Sequence, residues 1–260
     1  QFDTDLDTGD GEFNVQTVMG SVFLNSHVSD TVRLTIGFSY LYEDYDFDGT
    51  TGIGGLDPWE DIHTQRIRLV MHFDLSNDWS VYAGALAMFA GESGASSSDS
   101  DTYGGTFGFT YRKSADLTWG IGAIIIDQLE DDARFFPAIQ LNWQFKPAWR
   151  LTSFSNVKRV GFEVIYAVDP TLECGLGVGY EYNRFRLDDK GFASDGIGRV
   201  TGIPLMARLG WKPSSDFTLS VYGGAQLGGE IRIENSRGSK LREDDFDPAF
   251  FAGVSVSFRF

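Results

Sequence analysis

Residues 250–260, the end of the chain, read FFAGVSVSFRF. Counting back from Phe260, every second residue is apolar (Phe258, Val256, Val254, Ala252, Phe250), and between them stand Arg259, Ser257, Ser255, Gly253 and Phe251. Successive side chains of a strand point to opposite faces, so this segment has one oily face and one mostly small or polar face. Its length matches the roughly 9–11 residues that a tilted strand needs to cross a bilayer.

The same alternation runs through the chain. Val32, Leu34, Ile36, Phe38, Tyr40 and Tyr42 share one parity, with Arg33, Thr35, Gly37, Ser39 and Glu43 on the other. Ile67, Leu69, Met71 and Phe73 alternate with Arg66, Arg68 and His72, and Ile139, Leu141, Trp143 and Phe145 with Gln140, Asn142 and Gln144. Six turn clusters punctuate these runs, at Ser29, Ser76, Ser114, Lys146, Asp169 and Ser214; Ser, Asn, Asp and Pro reverse a chain quickly through local hydrogen bonds and fixed φ. Longer, acidic stretches separate them at 44–61, 91–101, 128–133, 187–199 and 234–247.

A chain that closes on an alternating strand with a terminal aromatic resembles the β-barrel proteins of the Gram-negative outer membrane, a porin-like group that includes families without assigned activity. The resemblance implies a multi-pass outer-membrane location. It also implies a last strand read by the barrel insertion machinery, and contact with membrane lipids and lipopolysaccharide. Six hairpins give twelve strands, the closing strand a thirteenth, and an even count calls for a partner. Phe2, Thr4 and Leu6, alternating with Asp3, Asp5 and Asp7, supply it. The fold class expected is therefore all-β: residues 1–260 as a single transmembrane antiparallel up-and-down barrel of about fourteen strands, with twelve as the alternative. Short turns lie on the periplasmic side and long acidic loops on the extracellular side.

Aromatic placement separates this from a soluble sandwich. Phe73, Trp79, Trp119, Trp143, Phe145, Trp149, Trp211, Phe217 and Phe258 fall beside the short turns, while Tyr40, Tyr42, Tyr103, Phe135, Tyr180 and Phe250 fall at the opposite ends. Two belts of rings mark the two interfaces of a membrane barrel, whereas a sandwich buries its Trp mid-strand.

Composition sets further bounds. The longest oily stretch, around 121–126, is far short of a membrane helix, and a mean hydropathy of −0.17 suits a barrel that hides its apolar residues by alternation. A net charge of −16 offers no basic stripe for nucleic acid. Cys174 is the single cysteine, so no intrachain disulfide forms. Acidic residues follow Gln1 almost at once, as expected of a processed chain.

Parity places Arg33, Arg66, Arg68, His72, Arg112, Arg150, Glu163, Arg208, Glu230 and Arg232 on the inner face. Two readings stay open: a channel whose basic wall favours anions, or ion pairs between neighbouring strands that fill the interior. The functional expectation is a passive channel for small polar or anionic solutes. A non-conducting structural barrel or a rim enzyme acting on lipid or peptide is the alternative. His63, near Glu60 and Asp61, is the one histidine at the height of the outer rim, but no Gly-x-Ser-x-Gly and no metal-spaced His pair accompanies it. The expectation is thus no enzyme, no cofactor and no metal. The run Asp3, Asp5, Asp7, Asp10 and Glu12 lacks the sixth-position Gly and twelfth-position Glu of a calcium loop. Arg184 and Arg186 fall just above the aromatic belt, where guanidinium groups suit lipid phosphates.

Overall fold

The computed structural model describes residues 3–260 as one sheet of fifteen strands; Phe2, assigned above to the first strand, lies outside the described residues. In chain order they are β1 (Thr4–Asp5), β2 (Glu12–Ser29), β3 (Val32–Asp48), β4 (Asp61–Asp74), β5 (Trp79–Glu92), β6 (Asp101–Ser114), β7 (Leu117–Gln128) and β8 (Asp131–Lys146). There follow β9 (Trp149–Ser155), β10 (Arg159–Ala167), β11 (Leu172–Arg186), β12 (Ile197–Trp211), β13 (Phe217–Glu234), β14 (Lys240–Phe246) and β15 (Ala249–Phe258). Each strand from β1 to β13 pairs antiparallel with the next.

The six short turns fall where the sequence puts them. In four of them a Ser hydroxyl accepts a backbone N–H two residues on (Ser29 from Thr31, Ser76 from Asp78, Ser114 from Asp116, Ser214 from Asp216), and Asp169 does the same for Thr171. These local bonds satisfy the backbone where the ladder stops.

At the far end of the sheet β15 pairs with Phe217–Gln226 of β13 and β14 with Gly229–Glu234, so β14 and β15 lie end to end along one neighbour. The short β1 wedges between β2 and β14: Leu6 bridges Phe246, the Asp7 amide donates to the Asp245 carbonyl at 3.0 Å, and the Asp247 amide to Asp5 at 3.0 Å. The sheet thus closes on itself at the loop end. Toward the turn end, among the described residues, no ladder joins the free edges of β2 and β15.

Outward residues form an apolar band. Ile36, Phe38, Ile67, Leu69, Phe107, Ile121, Ile139, Leu176, Leu205, Val221 and Val254 are all exposed. Along the turn end, ring contacts link Trp79 to Tyr111, Tyr111 to Trp119, Trp143 to Phe145, Phe145 to Trp149, Trp149 to Tyr166, and Phe217 to Trp211 and Phe258. Among the described residues, no helix is long and apolar enough to cross a membrane.

Strand height varies around the ring. With 17 and 18 residues, β3, β2 and β13 are much longer than a membrane crossing needs, while β9 has 7 and β10 has 9. The tall strands carry their alternation past the apolar band with its sense reversed: above it the inner face turns apolar and the outer face acidic. Phe13 and Val15 of β2, Tyr45 and Phe47 of β3, Ile62, Phe185, Val200, Ile231, Ile233 and Phe246 form a buried core with Trp59 from the β3–β4 loop. Trp59 meets Phe47 and Phe185 edge-on, with centroids 5.4 and 5.1 Å apart, a favoured aromatic geometry.

The loop expectations need correction. Asp44, Asp46 and Asp48 belong to β3, 240–246 is strand β14, and of 128–133 only 129–130 form a tight turn between β7 and β8. Acidic composition resembled loop because these segments stand clear of the apolar band, where outward positions face water.

Candidate functional site in the barrel lumen

The ladder registers turn parity into rings of inward residues. One ring reads Asn25, Thr35, Val70, Gly84, Thr106 and Ile124 across β2 to β7, and the ring toward the turn end reads His27, Arg33, His72, Tyr82, Gly108 and Gly122. Register thus places Arg33, Arg66, Arg68 and His72 on the inner face. Arg33 pairs with Asp74 at 3.1 Å near the turn end. His72 lies against Tyr82, with ring centroids 5.7 Å apart. Arg66 donates to the Asn156 carbonyl at 2.9 Å, and Arg68 stacks over Phe23 at 4.5 Å. Arg112 is exposed at the turn end.

On the opposite wall the inward charges compensate one another across strands. Arg208 grips Glu163 with two N–H groups, at 2.7 and 3.2 Å, and reaches Glu173 at 2.9 Å; Glu173 also takes Lys212 at 2.7 Å and lies 3.8 Å from Arg150. Removing any partner of such a network strands a charge.

A clamp spans the middle. The three-residue connection between β9 and β10, residues 156–158, reaches across the interior rather than out into solvent. Lys158 pairs with Glu43 of β3 and, at 3.0 Å, with Glu181 of β11; Arg159 holds the other Glu181 oxygen, and Asn183 donates to Glu43 at 2.6 Å. Glu43 and Glu181 are almost fully buried. The shortness of β9 and β10 sets this height, and no sequence signal marked Lys158 or Asn183, because their partners are distant in the chain.

Two sets of expected site residues move. Arg184 and Arg186 do not reach lipid headgroups: their side chains are 6 % and 3 % exposed. Above Glu181 strand β11 has no β10 beside it and leans across the ring until Arg186 pairs with Gly91 of β5. Arg184 then finds Glu234 at 2.7 Å and Asp131 at 3.2 Å, and Arg186 finds Glu130 at 2.8 Å and the Asp99 and Asp195 carbonyls at 2.9 Å. Glu230 and Arg232 move in the opposite sense, from lumen to outer face. Gly228 has φ +54, and the β12–β13 register shifts between Thr201 and Ile203. A bulge adds one residue and reverses parity beyond it, so Ile231 and Ile233 enter the core while Glu230 and Arg232 join Arg199 and Glu243 outside.

His63 faces outward beside Tyr40. Its Nδ1 is 2.7 Å from the Tyr40 hydroxyl, and its Nε2 lies 3.2 Å from Asp61 and 3.0 Å from Ser93 Oγ, which itself donates to Asp61. Glu60 offers its amide to Glu92. In a nucleophilic triad opposite ring nitrogens serve the nucleophile and the carboxylate; here both crowd one nitrogen and Tyr40 holds the other. No cluster of three metal-ligating side chains occurs among the described residues.

Fold and interior together define a class: an all-β barrel with an apolar outer band and a charged interior. Comparison with solved structures finds the following likenesses. An outer membrane channel from Pseudomonas putida F1 matches at 12 % identity over 98 % of this chain and 91 % of that one, with a TM-score of 0.48. The NanC porin matches at 12 % identity over 94 % and 99 %, with a TM-score of 0.34. The ferric enterobactin receptor PfeA of Pseudomonas aeruginosa matches at 8 % identity over 98 % and 63 %, with a TM-score of 0.32. At such identities and scores none of them assigns a function to this chain. No protein-family model and no curated protein sequence matches it.

Proposed function

We propose that the chain is an outer-membrane barrel of fourteen strands, β14 and β15 counting as one, and that it acts as a channel for small polar solutes with a preference for anions. The observation that carries the reading is the contrast between the two sides of one wall. Outward residues are oily and belted with aromatic rings, as a bilayer requires, while many inward residues at the same height are Arg, His, Glu, Gln and Thr, as suits a polar interior. Its outer face meets membrane lipids and, at the loop end, lipopolysaccharide; its last strand serves insertion.

In this reading the conformation is a closed one. The clamp of Lys158, Glu43 and Glu181 and the apolar core around Trp59 fill the interior above Arg66. Passage requires the 156–158 connection to withdraw, and its seven- and nine-residue strands give it few ladder bonds to lose. Planar-bilayer recording of the pure folded protein tests this. Rare conductance steps that become frequent in Lys158→Met support it, and no steps from either form sink it. The same preparations should show no hydrolysis of phospholipid vesicles that depends on His63 or Ser93; a loss of such hydrolysis in His63→Ala would make the rim-enzyme reading the correct one.

A further inference from the structure

Two half-buried inward arginines, Arg66 and Arg68, differ from most cations of the interior. Lys158, Arg159, Arg184, Arg186, Arg208 and Lys212 each meet a carboxylate within the protein. Arg134 has its plane covered by Tyr182 and Phe136. Arg66 and Arg68 have no carboxylate partner among the described residues. Arg66 spends one N–H on a neutral carbonyl, and Arg68 rests one face on Phe23 while its Nε is buried with no acceptor.

Their surroundings follow from register. The ring at Arg68 reads Phe23, Gly37, Arg68, Leu86, Gly104 and Ile126; that at Arg66 reads Ser21, Ser39, Arg66, Met88 and Thr102. Neither ring holds an acid. Glu43 pairs with Ile62, four residues along β4 from Arg66 or about 13 Å at strand rise, and it is already taken by Lys158 and Asn183. Asp74 lies six residues from Arg68 and is taken by Arg33 and Ser80. Burying like charges two residues apart on one face is unfavourable unless an anion arrives.

We infer that Arg66 and Arg68 bind the carboxylate of a small organic acid, with its carbon body against Phe23, Leu86 and Met88. The inference rests on the channel reading and adds its solute class. Guanidinium forks accept a carboxylate bidentately, and the apolar neighbours on both sides favour an organic anion over a bare inorganic one. Gly37, opposite Arg68, lets the Phe23–Arg68 stack lie close on the wall: a Cβ there would lie 2.7 Å from Phe23 and 2.9 Å from Arg68 Nε.

The experiment titrates the full-length folded protein in micelles with 4-fluorobenzoate and reads fluorine NMR line broadening. Binding should be saturable, absent for 4-fluorobenzyl alcohol, unchanged in the exposed-turn control Arg237→Gln, and weaker by about tenfold or more in R66Q/R68Q, as for loss of a charge-assisted hydrogen bond. R66K/R68K keeps the charges without the forks and should bind with intermediate strength, which guards against misfolding of the neutral pair. Undiminished binding in R66Q/R68Q, or no binding by the native protein, overturns the site. Competition by inorganic phosphate at concentrations as low as those of benzoate overturns the organic-acid assignment. Binding without bilayer conductance removes the channel and leaves the site; conductance without binding does the reverse.

Discussion

Lys158 is ion-paired with Glu43 across the interior, although 115 residues separate them. One sits on the connection between two of the shortest strands, β9 and β10, and the other on one of the tallest, so the pair ties opposite walls of the barrel together. Breaking a buried pair from one side costs about 3–5 kcal/mol, whereas replacing both partners with apolar groups of similar volume is often neutral. Glu43→Leu and Lys158→Met should each lower the unfolding midpoint, and the double variant should recover most of the loss. Additive losses in the double-mutant cycle would show that the two groups do not interact.

The apolar core at the loop end depends on Trp59, which is 1 % exposed and packs against Tyr45, Phe47 and Phe185. Trp59→Ala should destabilise the structure by about 3–5 kcal/mol. Hydrogen exchange should accelerate at the upper ends of β3, β11 and β13 and leave the outward-belted strand ends unchanged. Uniform acceleration along the strands would argue against a separate core.

Asp10 fastens the β3–β4 loop to the first turn. Its carboxylate accepts the Thr50 amide at 3.0 Å, the Thr51 amide at 2.8 Å and both hydroxyls at 2.6 and 2.7 Å. These four donors, the Thr50 hydroxyl foremost, hold its pKa well below the ordinary carboxylate value. A depressed folded pKa means the contribution is complete above the unfolded value, near 4. It is lost only as pH falls through the lower folded value. Protection of the Thr50 and Thr51 amides should therefore stay flat from pH 8 to pH 5 and weaken in stronger acid, and Asp10→Ala should abolish it at every pH. Loss of protection already at pH 6 would contradict this.

The bulge at Gly228 can be checked by labelling. In a Cys174→Ser background, Glu230→Cys and Arg232→Cys should react with a membrane-impermeant maleimide on whole cells, and Ile231→Cys should not. The opposite pattern would restore the uninterrupted parity.

The edges of β2 and β15 carry unpaired backbone groups within the apolar band, and each such group costs several kcal/mol in hydrocarbon. In a bilayer the two edges should close on each other. Amides of Val254 and Val256 should exchange slowly in lipid vesicles; fast exchange there would mean the seam stays open.

Much of this was legible along the chain because a strand's faces follow from counting by two. Ile36 and Arg33, or Ile67 and Arg68, took their sides from parity alone, and the serine turns took their places from local hydrogen bonding. The alternation of Thr4 and Leu6 with acids marked β1, which is a two-residue strand at the loop end and not a crossing strand. Parity failed where a backbone irregularity intervened: one extra residue at the Gly228 bulge sent Glu230 and Arg232 outside. It failed again at Arg184 and Arg186, where β11 outgrew its neighbour and turned inward. The sequence by itself determined an apolar outer band, a polar inner wall and the turns between, since these depend on period and local chemistry. Only the tertiary structure decided that the interior is crossed by Lys158 and Glu43, and that Arg66 and Arg68 are left without a counter-charge. Those facts depend on which residues meet across a ring, and the unequal strand lengths around it fix that.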